Sequence, residues 1–150
     1  MKPYLVSEIR DPRDKDSKVP VTFGPVAVGR AVSEETSRTV RLILRKAVEA
    51  GTGQKAKPAG YSAAGKTGTA QKIDQRTGQY SKEDYVSSFV GFAPTGAPKL
   101  VIVVMIDSPV GVAAGGSVAA PVFKAVAEQS LTYLQVRPDD LGGRMLLVSQ

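Results

Sequence analysis

The sequence contains no cysteine, histidine, asparagine or tryptophan, and the first two absences limit the chemistry that the chain can perform. Without cysteine there can be no disulfide and no thiolate ligand for a metal ion, although this absence fits any compartment, including the bacterial envelope. Without histidine, the commonest general base and the commonest metal ligand are both missing. A Ser-His-Asp triad within this chain is therefore impossible.

Long apolar runs are also absent, since none reaches the roughly 18 residues of a membrane helix. Charged residues and a proline interrupt the N-terminal segment, which is therefore no signal peptide. What is present is a chain of 150 residues, 42% hydrophobic and 23% charged, which predicts one domain or part of one. The net charge of +6 is scattered, with small clusters at residues 10–18 and 38–46. No nucleic-acid-binding motif accompanies it, so we predict a solvated basic surface and no nucleic-acid partner.

Two segments have the periodicity of amphipathic helices. In residues 33–50, Ser33 is the expected N-cap, acidic residues follow in the first turn, and Gly51 ends the helix. Its expected apolar stripe consists of Thr36, Val40, Ile43, Leu44 and Ala47. Residues 118–134 form the second helix, and Pro121 is expected in its first turn, where proline is tolerated. Its expected stripe consists of Val122, Phe123, Val126, Ala127 and Leu131.

Four segments are predicted to be extended, and loops or turns separate them: 3–9, 61–73, 85–92 and 99–107. The last is so uniformly apolar that we expect a central strand, buried on both faces and covered by the two helices. Short connections between the last three extended segments predict antiparallel hairpins. The remaining segments are predicted loops, including a flexible one over 108–117 and a C-terminal tail over 137–150.

Residues 60–71, with the sequence GYSAAGKTGTAQ, satisfy two motifs at once. Gly60, Gly65, Lys66 and Thr67 match the P-loop pattern, and Asp107 follows an apolar run as a magnesium-binding acid would. A P-loop, however, needs a buried strand before it and a helix that begins at Lys-Thr. The residues before Gly60 are polar, and the glycine after Thr67 costs about 1 kcal/mol in a helix. Nucleotide binding is therefore the less favoured hypothesis.

The second motif is Lys66-Thr67-Gly68, the K-T-G of penicillin-binding proteins and serine β-lactamases. Its surroundings make the match specific, and the chain resembles class B penicillin-binding proteins from about residue 1 to residue 138. The segments that carry the resemblance are 51–53 (GTG), 60–71, 88–94 (SFVGFAP) and 115–123 (GGSVAAPVF).

This resemblance implies an α/β (α+β) fold, in which helices sandwich an antiparallel sheet, as in penicillin-binding transpeptidases and serine β-lactamases. Residues 1–138 would be the C-terminal portion of that domain and residues 139–150 a tail. The implied activity is peptidoglycan D,D-transpeptidation by a serine enzyme, with a septal role favoured. The implied ligands are the D-Ala-D-Ala end of a stem peptide and β-lactams, and no cofactor or metal is implied. The parent would be anchored in the inner membrane, with this part in the periplasm and with cell-division or elongation proteins as partners.

The resemblance also assigns roles within the motif. Thr67 and Thr69 lie two apart, so on a strand they share a face, and their hydroxyls could donate to one substrate carboxylate. Strict alternation places Lys66 on the opposite face, where its ammonium is expected to act electrostatically and in proton relay. Gly68 lets the substrate backbone approach, and the backbone N–H of Thr69 would form half of an oxyanion hole. Lys66 and Thr69 are the predicted catalytic residues, and the predicted substrate-binding residues are Thr67, Gly68 and Thr69.

The nucleophile that the family requires is missing from this chain. No serine is followed by lysine three residues later, and the S-x-N motif needs an asparagine that the sequence lacks. Both motifs precede K-T-G in the family, so we expect them upstream of residue 1, and we expect this chain to be a fragment that is inactive alone. The family often carries aromatic residues near the position of Ala113 and Ala114, and Tyr85 is a candidate substitute. A non-catalytic binding module remains a second alternative.

Overall fold

The computed structural model describes residues 2–10 and 21–140 and divides the chain into two compact units, residues 1–36 and 37–150. In the first unit, strand β1 (Glu8–Ile9) pairs antiparallel with β2 (Val21–Thr22), and Lys2 bridges to Val26. The strand predicted over residues 3–9 is therefore wrong for most of its length. Predicted loop residues 11–20 and tail residues 141–150 lie outside the described part of the chain.

Helix α1 (Glu34–Glu49) confirms the first predicted helix. The backbone N–H of Thr36 donates to Ser33 Oγ at 3.0 Å, so Ser33 caps the helix as expected. The predicted apolar stripe is wrong at Thr36, Val40 and Ile43, which are exposed, whereas its members Leu44 and Ala47 are half-buried. Val48, which the prediction left out, is 1% exposed and joins the core. Among the described residues, the core reaches only the C-terminal turn of α1, and this contact selects which side of the helix is buried.

The second unit contains a three-stranded antiparallel sheet in the order β3-β4-β5, which confirms the predicted hairpins and the predicted fold class. The strands are β3 (Ala64–Ile73), β4 (Tyr80–Ala93) and β5 (Leu100–Asp107). A tight turn joins β3 to β4: the N–H of Asp74 donates to the carbonyl of Gln79 at 2.8 Å, and Gly78 has φ +69°. Because pairing with β3 continues as far as this turn, β4 begins five residues before its predicted start.

Strand β5 does not have the environment that its composition predicts. It lies at an edge of the sheet, and its residues alternate between exposed and half-buried. Val101, Val103 and Met105 are exposed, whereas the residues between them pack against the core. The expectation of a central strand buried on both faces is therefore wrong, because in the described part of the chain α2 is the only helix that contacts β5.

Helix α2 (Gly115–Tyr133) covers one face of the sheet. Its buried side includes Phe123, whose ring centroid lies 4.8 Å from that of Phe89 in β4. Two predictions about α2 are wrong. The helix begins three residues earlier than expected, and Pro121 is therefore its seventh residue and lies beyond the first turn. Residues 115–117, predicted as part of a flexible loop, form that first turn. No helix in the described ranges is both long and apolar enough to span a bilayer.

The segment after α2 returns to the residues that lead into β3. The hydroxyl of Tyr61 donates to the carbonyl of Val136 at 2.9 Å, and the N–H of Ser62 donates to Asp139 Oδ1 at 2.7 Å. The Ser62 hydroxyl also bonds to Asp139 and lies 2.7 Å from the hydroxyl of Thr95. These bonds tie the start of β3 to the C-terminal segment. The division of the domain from its tail after residue 138 stays a prediction.

Candidate functional site

The K-T-G motif lies in the middle of β3, and its side chains alternate as predicted. Thr67 pairs with Phe89, which packs against α2, so Thr67 and Thr69 both belong to the face of the sheet that α2 covers. Lys66 pairs with Val90 and starts from the opposite face. In the described residues β3 pairs only with β4, so its other edge is open to an added strand.

The two threonines of the motif line a cavity of about 400 Å³. One wall is β3, the second is the segment that follows α1, and the third is the first turn of α2. The lining residues are Gly51, Thr52, Gln54, Lys55, Thr67, Thr69, Ala114, Gly115, Gly116 and Ser117. Three segments that are distant in sequence therefore meet at the motif, and hydroxyl groups, an amide and an ammonium group face one space.

The first turn of α2 contacts Thr69 directly. The N–H of Gly115 donates to Thr69 Oγ1 at 3.2 Å, and this bond satisfies one of the helix's unpaired N–H groups. Because a hydroxyl has one hydrogen and two lone pairs, Thr69 can still donate its own hydrogen to a ligand. The contact thus joins α2 to β3 while it leaves Thr69 able to bind an anion.

Lys66 begins on the far face, but its ammonium group reaches Thr67. Lys66 Nζ donates to the carbonyl of Thr67 at 2.9 Å and lies 3.3 Å from Thr67 Oγ1. A positive charge therefore lies beside the first threonine hydroxyl. Packing within the sheet also favours glycine at position 68. A Cβ there would lie 2.4 Å from Ser88 Oγ in the neighbouring strand.

Thr52 is a residue of the cavity to which the sequence prediction gave no role. Its Oγ1 lies 3.1 Å from Thr67 Oγ1. The signals in the sequence were a hydroxyl residue between two glycines just after a helix and the resemblance of residues 51–53 to the family. Tyr85, the candidate aromatic wall, does not line the cavity, and its hydroxyl instead donates to the carbonyl of Lys82 at 3.0 Å.

The structure does not form the geometry of a P-loop. Lys66 and Thr67 lie within a strand, so no helix begins at this pair as the P-loop requires. Asp107 instead accepts a hydrogen bond from Lys72 at 2.7 Å, which lowers the pKa of the Asp107 carboxyl and raises the pKa of the Lys72 ammonium. Within residues 2–10 and 21–140, no group of three acidic side chains comes together as a metal site.

Gly115→Ala is expected to destabilise the second unit by about 1–3 kcal/mol, the usual cost of overpacking. A Cβ at this position would lie 2.4 Å from the carbonyl oxygens of Gly68 and Ser88, so β3 and α2 would have to separate. Urea unfolding followed by circular dichroism measures the effect. Gly96→Ala is the matched control, because no atom lies within 4 Å of its added Cβ. Equal midpoints for the two variants would contradict the close packing at Gly115.

Comparison with protein families gives a match over residues 1–128 to the family described as penicillin binding protein transpeptidase domain. Stage V sporulation protein D of Bacillus subtilis is 42% identical over 137 residues, which are 91% of this chain and 21% of that protein. The probable peptidoglycan D,D-transpeptidase PbpC of Pseudomonas aeruginosa is 41% identical over 116 residues, 76% of this chain and 20% of that protein. The chain thus spans about a fifth of the length of these relatives.

Solved structures of similar sequence have the same fold. The transpeptidase domain of Burkholderia pseudomallei penicillin-binding protein 3 has a TM-score of 0.66 and 37% identity, over 83% of this chain and 36% of that one. Penicillin-binding protein 3 of Mycobacterium tuberculosis, solved with ampicillin, has a TM-score of 0.73 and 33% identity, over 88% of this chain and 31% of that one.

Proposed function

The chain belongs to the penicillin-binding protein transpeptidase domain family, and on this basis we propose that it forms the K-T-G side of a peptidoglycan D,D-transpeptidase active site. The observation that carries the proposal is the cavity at the motif, where Thr67 and Thr69 face the first turn of α2. Relatives named as peptidoglycan D,D-transpeptidases, and a relative solved with ampicillin, support the proposal.

In this proposal the cavity holds the terminal carboxylate of a D-Ala-D-Ala peptide, or the carboxylate of a β-lactam. The hydroxyls of Thr67 and Thr69 donate to the carboxylate, and the Lys66 ammonium beside Thr67 adds positive charge. A unit charge contributes about 4 kcal/mol at 4 Å when the effective dielectric constant is near 20. The peptide backbone pairs with the open edge of β3, as in other complexes in which a peptide extends a sheet. Gly68 leaves room for this approach.

The chemical step needs a serine from the upstream part of the domain. Its Oγ attacks the penultimate D-Ala carbonyl, an ester forms, and the terminal D-Ala leaves with the proton on its new amine. An amine of a second stem peptide then displaces the serine and forms the cross-link. The backbone N–H of Thr69 donates to the oxyanion, and Lys66 stabilises charge and relays the proton. The chain alone is inactive, and its parent acts in the periplasm from a membrane anchor, with a septal role favoured over elongation.

Labelling with a fluorescent penicillin tests this function. We define the extended protein as this chain preceded by the upstream part of the transpeptidase domain. The extended protein is expected to be labelled covalently, whereas the 150-residue chain is expected to remain unlabelled because it lacks S-x-x-K. The measurement is fluorescence that survives denaturing electrophoresis, with excess unlabelled ampicillin as competitor. If neither protein were labelled, the transpeptidase assignment would fail, and labelling of the short chain would reveal a nucleophile within it.

A further inference from the structure

The hydroxyl pair of Thr52 and Thr67 joins two walls of the cavity. The two Oγ1 atoms lie 3.1 Å apart, although 15 residues separate the threonines in sequence. Both residues line the cavity, and neither side chain is buried, so a ligand can reach the pair. The contact places a third hydroxyl next to the two that belong to the K-T-G strand.

The position of Thr52 is held from both sides. Its carbonyl oxygen would lie 2.2 Å from a Cβ at Gly116, so the first turn of α2 packs directly on its backbone. On the other side, the N–H of Gly53 donates to the carbonyl of Ala47 at 3.0 Å, which anchors the segment to the end of α1. The backbone of Thr52 is therefore fixed in advance of binding, which reduces the entropy that a ligand must overcome.

The number of donors and acceptors around Thr67 indicates how Thr52 can orient the Thr67 hydroxyl. A hydroxyl offers one hydrogen and two lone pairs, whereas an ammonium group only donates. Lys66 Nζ, 3.3 Å from Thr67 Oγ1, therefore occupies one lone pair of Thr67. If Thr52 donates to the second lone pair, the hydrogen of Thr67 has no acceptor within this set and can point to an anion. Such a chain of donors also polarises the last hydroxyl and strengthens its bond.

Building on the proposed function, we propose that Thr52 is a positioning residue that orients Thr67 as a hydrogen-bond donor to the ligand carboxylate. Lys66 donates to Thr67 and Gly115 donates to Thr69. In the proposed arrangement the Thr52 hydroxyl, 3.1 Å from Thr67 Oγ1, is the second donor to Thr67. Each motif threonine is thereby left with one hydrogen for the carboxylate. Thr52 thus determines specificity for an anionic ligand without contributing any charge of its own.

The test compares two probes that differ only in the group that Thr67 would bind. They are N-acetyl-D-alanyl-D-alanine and its C-terminal carboxamide, titrated into the 150-residue chain and followed by amide chemical shifts in NMR. Thr52→Val removes the hydroxyl at nearly constant volume, Thr52→Ser retains it, and Thr39→Val removes a hydroxyl from an exposed position on α1. All the lysines remain, so a change in the carboxylate preference reports on the hydroxyl network.

We expect Thr52→Val to weaken carboxylate binding about fivefold, the usual effect of one net hydrogen bond. Carboxamide binding should weaken less, because a neutral amide oxygen accepts a weaker hydrogen bond from Thr67 than a carboxylate does. Thr52→Ser and Thr39→Val should keep the wild-type preference. An equal loss for both probes would indicate a purely structural role, and no loss would remove Thr52 from the site; either result overturns the proposal. If the wild-type chain failed to prefer the carboxylate, the proposal would also fall. Penicillin labelling of the extended protein would then decide separately whether the proposed function stands.

Discussion

Replacing Lys66 with alanine is expected to reduce the acylation rate of the extended protein by penicillin by about 10²–10³-fold, the effect of losing one electrostatic group from a preorganised site. The Lys66 ammonium lies next to the first motif threonine and donates to the Thr67 carbonyl at 2.9 Å. Its removal takes away a donor to Thr67 and the positive charge that, in the proposed function, attracts the ligand carboxylate. The measurement is the second-order rate constant for covalent labelling, obtained from time courses at several penicillin concentrations.

Two further variants separate the role of Lys66 from a general loss of charge. Lys99→Ala removes the same charge from the turn before β5 and should leave the rate unchanged. Lys66→Arg keeps the charge but changes the shape of the donor, so an intermediate rate is expected. If Lys66→Ala and Lys99→Ala behaved alike, Lys66 would have no special part in acylation. Unfolding midpoints of the variants show whether any loss of rate comes from loss of fold.

Phe89→Ala is expected to lower the free energy of unfolding by about 3–5 kcal/mol, the typical cost of removing a buried phenylalanine. The Phe89 side chain is completely buried and contacts the Phe123 ring of α2. It also lies against Gly65, where an added Cβ would approach its ring to 2.5 Å. One side chain therefore joins the helix, the central strand and the start of the K-T-G strand. Urea unfolding of the second unit, followed by circular dichroism, measures the loss.

The control for Phe89→Ala is Val101→Ala, at a position of β5 that is 75% exposed in the described structure. Exposed substitutions usually change stability by no more than about 0.5 kcal/mol. A comparable loss for the two variants would mean that the exposed face of β5 is packed in solution and that the core does not centre on Phe89. This pair of variants therefore tests the location of the core as well as its strength.

Local patterns predicted the elements that depend mainly on nearby residues. The bounds of α1 follow from its Ser33 cap and from Gly51, both of which act within one turn. The hairpin between β3 and β4 follows from the polar turn around Gly78. The environment of β5 was predicted wrongly, because an apolar composition shows that a strand can be buried but not whether a neighbour is available to cover it. The order of strands in the sheet decides that question.

The candidate site also has local features, which the sequence predicted, and long-range contacts, which it did not. The shared face of Thr67 and Thr69 was predicted, because alternation along a strand is a local property of the backbone. The sequence could not show that Lys66 reaches around to Thr67, since this depends on the rotamer of a long side chain. Thr52 was missed because its partner lies 15 residues away across a helix–strand connection. Their roles in binding and catalysis stay predictions.

The sequence by itself determined the family, the K-T-G motif with its alternating faces, and the absence of a histidine-dependent triad and of an S-x-x-K serine. These properties are carried by residue identity and short-range spacing, which no later packing can change. The tertiary structure alone decided which face of each helix is buried, that β5 lies at an edge, and that the first turn of α2 and Thr52 meet the motif threonines. Such contacts join residues distant in sequence, and they form only when strand order and helix docking bring those residues into the same volume.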